Sequence, residues 1–177
     1  MSTYNLLING ELVAGDSSMP VINPATEELI SQCPRASEDQ LNKAIAAAKA
    51  AFTGWSTTGL EIRKKLVLDI ADVIEAHAQE LTQLLTQEQG KPLADAAGEV
   101  GGMVAFFRYF AILDLPVEVL EDSEGRKVEA HRRPLGVVGA IVPWNFPLML
   151  MAFKLPPALI AGNTIVIKPA PTTPLSS

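Results

Sequence analysis

A lone cysteine, Cys33, leaves no partner for an internal disulfide and fits a reducing compartment. Basic residues are also in short supply, 14 against 20 acidic ones for a formal net charge of -6, and the two signs are interspersed along the chain. That excludes the clustered cationic face a nucleic-acid binder needs. No apolar run reaches the roughly 18 residues of a membrane span, and no basic start leads into an apolar stretch at the amino terminus. A cytoplasmic protein that binds neither membrane nor nucleic acid is therefore expected. His77 and His131 are far apart in sequence and no residues cluster at metal-ligand spacing, so no catalytic metal is expected. Also missing are a Gly-x-Gly-x-x-Gly fingerprint, an internal repeat and any low-complexity segment. What the chain does have is apolar side chain, 48% of its residues, enough to fill a core of ordinary domain size.

The pattern of those apolar residues predicts the local structure. Leu6 to Ile8 and Leu12 to Val13 flank Asn9-Gly10, a strong hairpin signal, and a further short strand is expected near Leu29 to Cys33 after the Asn23-Pro24 turn. Ser37 followed by Gln40 forms a capping box. Leu41, Ala44, Ile45, Ala48 and Phe52 then recur at helical spacing, predicting a helix from about Glu38 to Phe52. Gly54 and Gly59 bracket an expected connection containing Trp55. A second helix is expected to show one apolar stripe of Ile62, Leu66, Ile70 and Val73. A polar third helix, about Ala78 to Gln89, should stop at Gly90, and Pro92 suits the first turn of a fourth, whose stripe is Val100, Met103, Val104 and Phe107.

Val117 to Arg133 reads as a charged two-stranded arm around Asp122-Ser123-Glu124-Gly125, which should lean on another domain or subunit because isolated ribbons are marginal in water. Beyond Pro134, the continuous apolar run from Gly136 to Val142 predicts a parallel strand covered on both faces. Pro147 to Ala161 supplies a crossover helix and Thr164 to Ile167 a second buried strand, together a right-handed βαβ unit. Two parallel strands do not make a complete sheet, and Thr172-Thr173-Pro174-Leu175 reads as the start of another helix. The expectation is a chain cut in mid-fold.

Ligands of open α/β sheets gather at the carboxyl ends of strands, which points to Pro143-Trp144-Asn145-Phe146-Pro147. Asn145 is the one amide in an apolar stretch. It is either a turn-forming residue between prolines or a donor aimed at an oxygen that becomes anionic. Lys168, at the end of the second strand, is either a solvated cap or a donor to ribose or phosphate oxygens. Cys33, preceding Pro34, has nothing nearby to lower its thiol pKa and is expected to be inert. His77 and His131 are expected to be surface or packing residues.

These residues carry a resemblance. Pro143-Trp144-Asn145-Phe146-Pro147-Leu148, Lys154, Pro157-Ala158-Leu159, Gly162-Asn163 and Lys168-Pro169 are similar, at consistent spacing, to the NAD(P)-dependent aldehyde dehydrogenase superfamily. Upstream, the likeness takes in Ile8-Asn9-Gly10, Asn23-Pro24-Ala25-Thr26, Ala46-Ala47-Ala48, Phe52, Arg63, Leu66 and Glu88-Gln89-Gly90-Lys91-Pro92. Essentially the whole chain is covered. The resemblance implies an α/β fold: the amino-terminal part of a Rossmann-like cofactor domain, with an incomplete parallel sheet, plus a two-stranded oligomerisation arm. It implies a division into residues 1–115 (hairpin and helices of the cofactor domain), 116–134 (arm) and 135–177 (first βαβ unit).

It also implies oxidation of an aldehyde to a carboxylic acid through a cysteine thioester, with Asn145 helping to form the oxyanion hole. Lys168 would bond the adenosine ribose, and Ile141, Val142, Pro143, Trp144, Pro169, Ala170 and Pro171 would line the NAD or NADP groove. The nucleophilic cysteine and the general-base glutamate would lie beyond Ser177, so the 177 residues alone are expected to be inactive. Many NAD-preferring members carry a glutamate where this chain has Pro171, and its absence predicts NADP tolerance. Residues near Met103, Phe107 and Met149 to Phe153 would line part of the aldehyde tunnel or simply pack the core. A homodimer or homotetramer is implied for the full-length protein. Two other readings stay open: a non-catalytic module that binds a nucleotide or another subunit, and an acyl-CoA-producing relative.

Overall fold

The computed structural model describes residues 4–177. It opens with a hairpin of β1 (Leu6–Ile8) and β2 (Glu11–Val13). Asn9 and Gly10 at its turn both have positive φ, 55° and 77°, which matches the strand twist. The next ribbon pairs β3 (Ser17–Ile22) antiparallel with β4 (Leu29–Arg35). No strand is legible at β3 in the sequence, because Ser17, Ser18 and Pro20 break its alternation; pairing with β4 creates it. Gly15 lets the backbone entering β3 approach the end of β4, since a Cβ there would lie 2.6 Å from the Arg35 backbone nitrogen.

Helix α1 (Glu38–Thr57) starts with the capping box expected of Ser37 and Gln40. Gln40 also ties the helix to the hairpin, accepting from Asp16 N at 3.0 Å and donating to Ala14 O at 2.8 Å. The helix does not stop at Phe52 but continues through Gly54 and Trp55. The Trp55 indole N–H donates to Leu159 O at 3.2 Å, and this anchorage outweighs the glycine's helix penalty of about 1 kcal/mol.

Helix α2 (Leu60–Ala76) buries a different face from the one its apolar stripe predicts. Arg63, Val67 and Ala71 turn inward, whereas of the predicted stripe Ile62, Leu66 and Val73 are exposed and only Ile70 packs against the core. Arg63 fixes this rotation: its Nε donates to Ile160 O at 3.0 Å and its Nη1 to Thr58 O, bonds available only from the inner face. Helix α3 (Ala78–Gln89) ends at Gly90, whose φ of 88° is the left-handed cap expected there. Helix α4 (Leu93–Ala111) has Pro92 as its N-cap and buries the full predicted stripe of Val100, Met103, Val104 and Phe107.

The arm consists of β5 (Glu118–Ser123) and β6 (Arg126–Ala130), antiparallel, with Val117, Val119 and Leu120 exposed. Strands β7 (Val137–Ile141) and β8 (Thr164–Lys168) pair in parallel. The burial on both faces predicted for them is incomplete: Gly139 and Ile141 are exposed, because among the described residues this sheet has only two strands. Their crossover is not one helix but two, α5 (Pro147–Ala152) and α6 (Leu155–Ile160). Pro156 and Pro157 have no N–H for the carbonyls four residues back, so the helix breaks and restarts at Phe153-Lys154.

One apolar cluster runs through α2, α3, α4, α5 and α6 and includes Val142 just after β7. A smaller one joins Val21, Cys33 and Leu175. Helix α1 closes over the parallel strands, with Thr164 Oγ1 donating to Ala48 O at 2.8 Å. Since Phe107 is fully buried at the centre of the larger cluster, Phe107→Ala should cost about 3–5 kcal/mol in chemical denaturation. Ile62→Ala, on the exposed stripe, should cost about 0.5 kcal/mol or less.

Candidate functional site

The carboxyl ends of β7 and β8 lie side by side, with Ile141 opposite Lys168 in register and Val142 N donating to Lys168 O at 3.0 Å. At the other end of the unit, buried Asn163 accepts from Leu135 N at 2.6 Å and Gly136 N at 3.0 Å through its Oδ1. Those bonds fix where β7 begins and thereby where its far end delivers the Pro143–Pro147 loop.

The predicted site residues divide by orientation. Ile141 (74% exposed), Pro143, Trp144, Asn145, Lys168 and Pro171 face solvent, and Pro169 is half-buried. Val142 and Ala170 turn into the interior, Val142 as part of the main core, so only their backbone can reach a ligand. Trp144 and Pro171 meet in a cleft of about 380 Å³ shared with Val21, Glu88 and Thr172; neither Asn145 nor Lys168 lines it. A larger groove of about 600 Å³ between α3 and α4 contains none of the predicted site residues.

A dinucleotide requires an apolar surface for its planar rings and donors for its ribose and phosphate oxygens. Ile141 and Trp144 supply the first at the strand ends. Among the described residues Lys168 Nζ bonds only its neighbour's carbonyl, Pro169 O at 3.1 Å, which leaves two N–H groups for the second. The residues present therefore fit such a ligand.

The Asn145 carboxamide is exposed and makes no hydrogen bond to another described residue, whereas its backbone is held firmly. Its carbonyl accepts from Lys91 Nζ at 3.1 Å, and the same ammonium lies 4.2 Å from the centroid of the Phe146 ring. Lys91 also pairs with Glu99 Oε2, both side chains being almost completely buried. The other oxygen, Glu99 Oε1, accepts from Leu148 N at 2.9 Å and Met149 N at 3.1 Å, satisfying two orphan donors of the α5 amino terminus. Removing one member of a buried pair leaves an uncompensated charge and costs about 3–5 kcal/mol. Sequence reasoning included Lys91 in a motif without giving it a role, and missed Glu99; the available signal was a carboxylate beside Val100, flanking the apolar stripe of the helix.

A second buried carboxylate, Glu88, grips the segment after β8. It accepts from Leu175 N at 2.7 Å, from Ser176 N at 3.0 Å and from Ser176 Oγ. Burial pushes its carboxyl above the ordinary carboxylate range, against the downward pull of those bonds. Cys33 is buried and its thiol is pushed up by that burial and by the charge of Glu88, the opposite of an activated nucleophile. His77 and His131 are exposed beside Glu80 and Glu129, at 3.4 and 3.1 Å.

Comparison with known proteins agrees with this arrangement. The profile of the aldehyde dehydrogenase family matches residues 12–177. A Pseudomonas protein named "Probable aldehyde dehydrogenase" is 47% identical over 153 residues, which cover 86% of this chain and 31% of that protein. A crystal structure of PnpE in complex with nicotinamide adenine dinucleotide superposes with a TM-score of 0.92 at 41% identity, covering 98% of this chain and 37% of that one. An NADP-dependent enzyme of E. coli superposes with a TM-score of 0.93 at 33% identity, covering 98% and 37%. The chain thus spans about a third of the length of the curated relatives it matches.

Proposed function

The chain belongs to the aldehyde dehydrogenase family, and from that premise we propose that it forms part of an enzyme that oxidises an aldehyde to a carboxylic acid with NAD or NADP. The observation that carries the reading is Asn145, exposed in the loop that leaves a parallel strand, its carboxamide making no hydrogen bond to another described residue while its backbone carbonyl is held by Lys91. A free amide N–H on a fixed backbone is what an oxyanion donor requires, because it stabilises new charge without reorganising when that charge appears. In this reading a thiolate and a carboxylate base, contributed from outside these 177 residues, attack the aldehyde and activate water. Asn145 donates to the alkoxide oxygen created by the first of those steps.

NAD(P), when bound, supplies the hydride acceptor. The chain's own part is to hold it: Lys168 N–H groups bond ribose oxygens, and Ile141, Pro143 and Trp144 offer an apolar surface. Val142 and Ala170 contribute backbone, and Pro169 and Pro171 border the groove. Residues 1–115 and 135–177 then act as parts of one cofactor domain. The arm, 116–134, pairs with another subunit in a homodimer or homotetramer, which is consistent with its exposed Val117, Val119 and Leu120.

In the full-length polypeptide, Asn145→Ala should lower kcat about 10²- to 10³-fold while leaving the nucleotide Kd unchanged. Undiminished turnover in that variant contradicts the reading. The second expectation concerns the cofactor. Pro171 places no carboxylate where it would repel a 2′-phosphate, so kcat/KM with NADP should equal or exceed that with NAD, and Pro171→Glu should shift the ratio towards NAD. A strong NAD preference in the unaltered protein would count against it.

A further inference from the structure

The role assigned to Asn145 depends on its side chain being held at a fixed place, yet the residue lies in an exposed loop between two prolines. The restraint comes from a different part of the chain. Gly90 ends α3 in the left-handed conformation and Pro92 caps α4, so Lys91 is carried on a connection with little freedom. From that connection its ammonium uses three directions: the Glu99 carboxylate, the Asn145 carbonyl at 3.1 Å and the face of the Phe146 ring at 4.2 Å. Glu99 divides its oxygens between Lys91 and the amides of Leu148 and Met149. The backbone is thus held at Asn145 and again at 148–149, with Phe146 gripped between.

We propose that Lys91 and Glu99 are positioning residues for the Asn145 carboxamide, acting through the backbone on either side of Phe146 and touching neither substrate nor cofactor. This rests on the oxyanion reading of Asn145. The distinguishing property of such a pair is that its effect on rate passes through one side chain. Loosening the loop misplaces the amide N–H relative to the reacting oxygen, and displacement on the scale of an ångström costs about 100-fold in rate. Nucleotide binding at Ile141 and Lys168 should be spared, because those strand ends are tied together separately, by Val142 N on Lys168 O.

A double-mutant cycle in the full-length polypeptide tests this, comparing Lys91→Met and Asn145→Ala singly and together, with kcat, KM and the Kd of NADP measured for each. Lys91→Met alone should lower kcat about 100-fold, with the NADP Kd within about twofold of the parent. In the Asn145→Ala background the same substitution should cost less than about threefold, since the group it positions is gone. Lys91→Arg, which keeps the charge and the donors, should recover part of the loss. If Lys91→Met costs the same factor in both backgrounds, or weakens NADP binding in step with kcat, the positioning role is overturned while the Asn145 reading stands. If Asn145→Ala alone leaves the rate untouched, the reading itself falls and takes the inference with it. Should Lys91→Met not accumulate as folded protein, Glu99→Gln carries the same cycle, because it retains an acceptor oxygen for Leu148 and Met149 while removing the ion pair.

Discussion

A buried ion pair between Lys91 and Glu99 fastens the helical half of the chain to the loop that leaves the first parallel strand. Two charges out of water are expensive to maintain and are tolerated only where both partners are saturated with further bonds. Here they are: Lys91 reaches a carbonyl and an aromatic face, and Glu99 takes two backbone amides that α5 leaves without partners. The pair therefore carries direction as well as energy. It fixes where the chain runs at Asn145 and leaves that exposed residue on the solvent side.

The same device recurs at Glu88, a buried carboxylate at the end of α3 that collects the amides of Leu175 and Ser176. Through it, the segment following β8 is held against the β3–β4 ribbon, and Trp144 and Pro171 come to border one cleft. Glu88 and Lys91 sit on opposite sides of Gly90. The short stretch that closes α3 and opens α4 thus anchors both segments that leave the parallel strands, one from each strand. This explains why so polar a stretch lies beneath so apolar a part of the chain.

Much of this was legible in the sequence wherever a local signal decides local structure. The Asn9-Gly10 turn, the Ser37-Gln40 capping box, the Gly90 cap and the inward face of α4 each follow from a few neighbouring residues, and the structure has them. The parallel strands and the Pro143–Pro147 loop were legible for the same reason. What was hidden depends on partners distant in sequence. Strand β3 exists because β4 pairs with it, and α1 runs on past Gly54 because Trp55 finds Leu159. Helix α2 turns its Ile62 stripe outward because Arg63 caps a helix nearly a hundred residues away. For the proposed site, the sequence singled out the loop and strand-end residues but not Glu99, whose carboxylate bonds the backbone beside them. A carboxylate on an apolar helix looks like an exception to the pattern until its partners are seen.

The claim that Glu99 clamps the start of α5 is open to direct measurement by amide hydrogen exchange. The first amides of a helix lack intrahelical acceptors and ordinarily exchange quickly. If the account is right, Leu148 and Met149 are the exception: they exchange as slowly as the interior amides of α4 and lose that protection when the carboxylate of Glu99 is removed. Rapid exchange at both positions in the unaltered protein, at the rate of an exposed loop, would contradict it.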